Sequence, residues 1–348
     1  MAAAYPGPFS VHVPSHKGLV VDFARNIKRF PVNRYTQTVP VTKLNDYYQR
    51  MTIEEAGRVL STTLDDKLWA DGQPRPERNE GGESFEFFPY RCERYYYGLP
   101  LGDLTISNAD WDVSQQHLSI YSRQAMTART QLAITQLTTT GNYAASHVIN
   151  ASTFSSSLGT NQGTWVQSTT ARQDIKRSLF GAAEVIRDDT LDALEMDELI
   201  LVINSELAAE IALSQEIVDY IKASPEAPYF IKGEGKAFNP NSDYGLPDKL
   251  YGFSLVVEGT RKITSAKGAA AARSQILPTA TPFLCARPGG LEAPVGPNFS
   301  TCVGFAFLEM GVETVNDAIN KRQLLGVTEV IDYQLAAPAS GVLFTAAS

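Results

Sequence analysis

Leu199-Ile-Leu-Val-Ile-Asn-Ser-Glu-Leu-Ala-Ala-Glu-Ile211 changes its period part-way along. Residues 199–203 form a continuous apolar run in which Ile200, Val202 and Ile203 are β-branched, the pattern of a strand covered on both faces. Asn204 or Ser205 then offers a short side-chain oxygen to cap a helix. Leu207, Ile211, Val218 and Ile221 recur on one face of that helix until Pro225 stops it. A buried strand feeding straight into an amphipathic helix is one unit of an α/β subdomain.

Working outward from this unit, 251–258 predicts a second strand after a Gly/Pro/Asn-rich loop, and 267–272 predicts an exposed loop. Further on the chain turns β-rich, with strands expected at 283–287, 302–309, 327–335 and 341–344. Upstream, 171–187 predicts a helix with Ile175, Leu179, Ala182 and Ile186 inward, followed by the acidic stretch 188–198. The Ser/Thr/Gly/Asn-rich stretch 141–170 predicts loop with a strand around Trp165 and Val166. Residues 113–139 predict a helix of about 40 Å with Leu118, Tyr121, Ala125, Ala128 and Leu132 along one stripe. Residues 52–69 predict a short helix opened by a Thr52/Glu55 capping box.

Between these helices lies the most unusual composition in the chain. Phe85, Phe87, Phe88, Tyr90, Tyr95, Tyr96 and Tyr97 fall within thirteen positions, where the chain average of 10 % aromatic would place one. Read as strand, Phe85, Phe87, Tyr95 and Tyr97 share one face and Phe88, Tyr90 and Tyr96 the other. Both faces of such a two-stranded ribbon need cover, from its own core or from a neighbouring subunit.

Residues 1–50 show no sustained period, and Pro6, Pro8, Pro14, Pro31 and Pro40 interrupt any helix, so they predict an extended arm that needs a surface to lie on. This arm carries +5 net charge and the rest of the chain −13. An overall charge of −8 excludes a generic nucleic-acid binder, yet one end can face a polyanion. The 348 residues allow one large domain or two medium ones, and an apolar content of 43 % suits an ordered core. No apolar run approaches the roughly 18 residues of a membrane span, and Met1-Ala-Ala-Ala-Tyr-Pro lacks the charged and apolar regions of a signal peptide. No membrane partner is expected.

Catalytic readings lack parts. His12, His16, His117 and His147 are scattered, and Cys92, Cys285 and Cys302 are an odd number at wide spacing, so no metal module, disulfide framework or Cys-His pair is expected. Gly233-Glu-Gly235-Lys lacks the further glycines of a dinucleotide or phosphate loop. The acidic run 188–198 does not match calcium-loop spacing. No catalytic residue, cofactor or metal is therefore expected.

The order of parts is a proline-rich basic arm, aromatic ribbon, long helix, α/β subdomain and terminal strands. It resembles the major capsid protein of tailed bacteriophages, the Hong Kong 97-type α+β fold. The local pattern resembles it too, in 199–211 followed by Ile217-Val-Asp-Tyr-Ile-Lys, in Tyr251-Gly-Phe-Ser-Leu-Val-Val-Glu-Gly-Thr-Arg-Lys-Ile, and in the ending Val330-Ile-Asp-Tyr-Gln-Leu-Ala-Ala-Pro. The resemblance implies an N-arm at 1–50, a short helix and E-loop at 51–107, a P-domain at 108–187 and 299–348 built on the spine helix, and an A-domain at 188–298. It implies a shell of hexamers and pentamers of this chain enclosing double-stranded DNA. The arm would bind that DNA without sequence specificity, with Lys28, Arg29 and Arg34 facing it. The seven aromatics of the ribbon become inter-subunit contacts. Expected partners are a separate scaffolding protein, a portal protein and, as an optional addition, a cement protein, in a virion assembled in the host bacterial cytoplasm. Some members join subunits by a lysine-asparagine bond from the E-loop. No lysine lies between Lys67 and Lys176, so none is expected here. An encapsulin-like bacterial nanocompartment shell is the nearest alternative, and an α/β hydrolase the alternative from another class.

Overall fold

The computed structural model describes residues 30–51, 68–69, 71–74, 85–109, 112–156, 159–160, 164–166, 174–222, 246–266, 268–288 and 300–348. In chain order, a helical turn Val32–Tyr35 leads to strands β1 (Gln37–Pro40), β2 (Asn45–Met51), β3 (Phe85–Arg91) and β4 (Glu93–Gly102). A short helix Asp103–Ser107 precedes the long helix Val113–Thr138, then β5 (Val148–Asn150) and the two-residue strands β6 (Ser155–Ser156) and β7 (Gly159–Thr160). Helix Ile175–Thr190 is followed by β8 (Leu199–Asn204), helices Ser205–Leu213 and Gln215–Lys222, and strands β9 (Lys249–Leu250), β10 (Phe253–Glu258), β11 (Arg261–Ile263), β12 (Arg273–Gln275) and β13 (Phe283–Ala286). The chain closes with β14 (Cys302–Asp317), β15 (Arg322–Leu335) and β16 (Gly341–Thr345).

Two sheets carry the core. The first has the order β5-β16-β13-β8-β10-β9, with β8 and β10 parallel and β13 antiparallel to β8. All six residues of β8 are buried, because Leu199, Leu201 and Ile203 face helices Ile175–Thr190 and Ser205–Leu213 while Ile200 and Val202 face a second cluster around the long helix. The continuous apolar run is the signature of this two-sided burial. The second sheet has the order β1-β14-β15-β4. One of its faces, including Ile331, Tyr333 and Leu335, packs with Met126, Ala133, Ile134 and Leu137 of the long helix, and Ile200 and Val202 of β8 join the same cluster. The long helix thus lies along β15, β14 and β4 of the second sheet and shares a core cluster with the first. Its N-terminus is closed by Asp112, whose carboxylate accepts the Gln115 amide at 2.9 Å.

Several expectations are corrected. The aromatic stretch does not fold on itself as a ribbon: β3 pairs with β2, and β4 pairs with β15. Arg91-Cys92-Glu93 contains none of the Gly or Asn residues that a tight hairpin turn requires, so the strand runs on and divides between two partners. Residues 32–50, expected as part of an extended arm that needs a surface to lie on, contain a helical turn and two paired strands, the second ending at Met51, with Val32 and Tyr35 fully buried. Their surface is supplied by their own chain. The helix expected across 205–221 is two helices, separated at Ser214, whose backbone is extended and whose hydroxyl accepts the Ile217 amide at 3.4 Å. Ile217 consequently points inward rather than Val218.

Trp165 and Val166 lie outside any strand. Trp165 is a core plug, its ring 4.8 Å from that of Phe344 and its indole donating to Ser178 Oγ at 3.2 Å. The helix expected from 171 starts at Ile175, because the Glu216 carboxylate accepts the Ile175 and Lys176 amides, each at 3.0 Å. Along the long helix Ala128 and Leu132 are only half-buried, while Met126, Ala133, Ile134 and Leu137 are inside. A stripe stepping by 3.5 residues drifts off one face of a straight 3.6-residue helix. Strands expected at 302–309 and 327–335 extend to Asp317 and back from Arg322. Bulges between Ala306 and Gly311 keep the two in register. The last strand, β16, joins β13 and β5 in the first sheet rather than β14 and β15 in the second. The helix expected at 52–69 and the Gly233 turn lie outside the described residues, apart from residues 68 and 69.

Candidate assembly surface

The ribbon formed by β2 and β3 lies on the second sheet, on the face opposite the long helix. Its inward side chains are aromatic: the Tyr90 ring stacks on Phe305 at 4.6 Å, and the Tyr48 ring lies 5.2 Å from Phe305 and 5.7 Å from Phe88. Val303, Val330 and Cys92 complete this cluster. Arg50 covers Phe88 at 4.2 Å and pairs with Glu86 at 2.8 Å, closing the ribbon's inner side against water.

The outer side is different. Tyr47 is 65 % exposed, Phe87 65 % and Phe85 56 %, and the register brings Phe87 opposite Gln49 and Phe85 opposite Met51. Single exposed apolar residues are ordinary, but three large aromatic side chains on one face of a two-stranded ribbon form a patch that water solvates poorly.

The seven predicted contact residues therefore separate. Phe85 and Phe87 point outward, while Phe88 and Tyr90 anchor the ribbon to its own sheet. Tyr95 and Tyr97 turn toward the long helix, packing with the clusters around Met126 and Tyr121. Tyr96 is exposed on the opposite face, its ring lying across Gly98 and Gly326. The face assignment from sequence fails beyond Cys92, because the pairing partner changes there. Arg34 is exposed on the first helical turn, and Lys28 and Arg29 lie outside the described residues.

Two exposed groups escape a reading of the sequence. Tyr47 lies in a stretch that carries no strand period. Leu308, Val312, Val315 and Ile319 occupy the outer half of the β14–β15 hairpin, most of it beyond the strands expected at 302–309 and 327–335. The β-branched residues Val312, Thr314 and Val315 are the available signal.

Buried charge is concentrated where elements meet. Glu258 at the end of β10 accepts the Tyr35 hydroxyl at 2.8 Å, the Thr260 amide at 3.0 Å and the Thr260 hydroxyl. Burial pushes the Glu258 carboxyl up, and these hydrogen bonds oppose the rise. The same bond fastens the N-terminal segment to the first sheet. Glu329 of β15 faces Arg129 of the long helix at 3.7 Å, and burial likewise raises its carboxyl above the ordinary value. His147 is buried, with Gly341 O at 2.6 Å from Nδ1 and Asp189 at 2.7 Å from Nε2. It is a structural tie between a 3₁₀ turn, a helix end and β16. Burial pushes the Cys285 and Cys302 thiols far up, which suits inert core residues. Among the described residues no group of three or more His, Cys, Asp or Glu side chains could hold a metal ion. Nor is any described helix long and apolar enough to cross a membrane.

No protein-family model and no curated protein matches the sequence. Solved structures do match its fold. A phage-related protein from Bordetella bronchiseptica RB50 superposes with a TM-score of 0.59 at 14 % identity, over 90 % of this chain and 90 % of that one. The capsid of Ralstonia phage GP4 gives 0.56 at 10 % identity, over 90 % and 87 %. The mature capsid of bacteriophage PhiM1 gives 0.52 at 12 % identity, over 98 % and 92 %. The chain has a phage capsid-protein fold. Each match covers at least 90 % of this chain, more than any one sheet or helix contributes.

Proposed function

We propose that this chain is a major capsid protein, a structural subunit that assembles as hexamers and pentamers into an icosahedral shell around phage double-stranded DNA. The observation that carries the proposal is the aromatic outer face of the β2–β3 ribbon, set on a capsid-type fold. A face of Tyr47, Phe85 and Phe87 is unfavourable in water and is relieved when the ribbon lies across a second copy. Many modest contacts of this kind, repeated around a closed shell, stabilise it by multivalency.

In this reading residues 1–50 are the N-arm, with 30–51 folded onto the subunit's own sheets. Residues 51–107 carry the E-loop, which borrows β2 from the arm. The long helix is the spine of the P-domain (108–187 and 299–348), and 188–298 form the A-domain. The role is structural rather than catalytic. A separate scaffolding protein directs closure in the host bacterial cytoplasm, a portal protein takes one vertex, and a cement protein is an optional outer partner. Lys28, Arg29 and Arg34 face packaged DNA. With no lysine between Lys67 and Lys176, subunits remain non-covalently joined, and shells boiled in detergent are expected to release only monomers.

Negative-stain microscopy of the chain expressed alone and with the scaffolding protein tests the proposal. Closed shells, or free hexamers and pentamers, are expected. A chain that stays monomeric with every candidate partner would refute it.

A further inference from the structure

The outer half of β14 is an open sheet edge. On one side β14 pairs with β15 along its length, but on the other β1 covers only Val303–Ala306, and Val41 leaves after donating to Ala306 O. From Leu308 to Asp317 no described strand lies on that side. The edge is apolar as well as unpaired, with Leu308, Val312 and Val315 exposed and Ile319 93 % exposed at the hairpin turn. A long, apolar edge invites another strand. Its only charges are Glu309, Glu313 and Asp317, of which Arg94 and Arg322 meet the last two. Leu308 and Val315 stand opposite Val330 and Leu324 on the face that carries the ribbon, whereas Val312 stands opposite Val327 on the face of the long helix.

A segment outside the described residues has matching chemistry. Phe9-Ser-Val-His-Val13 alternates apolar and polar side chains between Pro8 and Pro14, the pattern of a five-residue strand with one face to bury. It belongs to 1–29, which carries Lys17, Arg25, Lys28 and Arg29 against Asp22 alone, a sign opposite to that of the β14 edge. The segment of the chain that follows it already supplies β1, the strand on the inner half of the same edge.

We infer that residues 9–13 of a second copy add as a strand to the β14 edge between Leu308 and Asp317, with Phe9, Val11 and Val13 on the face that carries Leu308 and Val315. The inference rests on the capsid reading, which supplies the second copy, and it adds the occupant of an edge distinct from the aromatic ribbon. Backbone pairing gives the affinity, and the alternate apolar side chains fix the register.

The test uses the full chain, co-expressed with the scaffolding protein, in shells verified by microscopy. Val11→Cys is combined in turn with Leu308→Cys, Gly311→Cys and Val315→Cys, three positions along that face, and the shells are oxidised. Cys92, Cys285 and Cys302 are buried and leave the background low. At least one pair is expected to give a ladder of covalent multimers that each single variant lacks and that reductant removes. A cross-link confined to chains of monomer mass would place the segment on its own subunit and overturn the inference. Closed shells without a cross-link from any pair would overturn it too.

Should the cysteine pairs block closure, wild-type shells carry a second measurement. Amide exchange over 308–317 is expected to slow at least tenfold on assembly, and Phe9→Ser/Val11→Ser/Val13→Ser to remove that protection. Exchange unchanged by assembly would refute the inference. A wild-type chain that forms no shell at all would instead refute the capsid reading beneath it.

Discussion

At the scale of single residues, the informative features are charges held inside. Arg129 and Glu329 meet at 3.7 Å between the long helix and β15, and neither carboxylate oxygen of Glu329 has a hydrogen-bond partner. Desolvation of such a pair is only partly offset by its attraction. Because burial raises the Glu329 carboxyl, the folded state holds its proton to a higher pH than the unfolded state does. This group's contribution to stability therefore falls as pH rises from the ordinary carboxylate range through the raised value. Arg129→Met/Glu329→Leu is expected to match or exceed the wild type by about 1–4 kcal/mol near pH 8, whereas Glu329→Ala alone should lose about 3–5 kcal/mol by leaving Arg129 uncompensated. Urea unfolding of the unassembled chain at pH 5 and pH 8 reads both. Tyr35 gives a second case. Its hydroxyl donates to Glu258 at 2.8 Å, so Tyr35→Phe should cost about 1.5–3 kcal/mol and speed amide exchange across 32–40.

At the scale of elements, partners far apart in sequence decide where each begins and ends. Helix Ile175–Thr190 gains its start from Glu216, some forty residues on, whose carboxylate satisfies two of the first amides. Glu216→Ala is expected to destabilise by about 1 kcal/mol and to fray that first turn, measured by denaturant midpoint and by exchange of the Ile175 and Lys176 amides. The β4–β15 pairing depends on close approach at Gly326, where an added Cβ would lie 2.6 Å from Tyr97 O and 2.7 Å from the Tyr96 ring. A backbone atom cannot move aside as a flexible side chain can. Sequence reading succeeds where an element carries its own pattern: Ile175, Leu179, Ala182 and Ile186 are all fully buried as expected, and Asn204 caps its helix by accepting the Leu207 amide at 2.6 Å. It fails for β2, whose Asn-Asp-Tyr-Tyr-Gln-Arg-Met carries no strand pattern and is ordered by pairing with β3.

At the scale of the whole molecule, the same ribbon has an inner face that holds the subunit together and an exposed outer face, which the proposed capsid role gives to a second copy. Tyr47→Ser/Phe85→Ser/Phe87→Ser should leave the melting temperature of the unassembled chain within a few degrees while lowering shell yield at least tenfold, scored by sedimentation. Tyr90→Ser should instead destabilise the subunit itself, because that ring is stacked on Phe305. Charge acts at longer range. Lys28→Gln/Arg29→Gln/Arg34→Gln should weaken retention of DNA of any sequence and flatten its dependence on salt, measured by DNA release from shells across a salt series.

The sequence by itself determined what is written locally. The two-sided burial of β8, the helix that follows it, the long helix and the aromatic concentration at 85–97 all follow from side-chain period and spacing within short windows. Only the tertiary structure decided which aromatics face outward, that residues 30–51 are woven into both the sheet and the ribbon, and that β14 leaves half an edge open. These depend on strand pairing between residues far apart along the chain, as in Gln37 with Val303. A pairing partner fixes the face each side chain takes, and a local pattern carries no record of that partner.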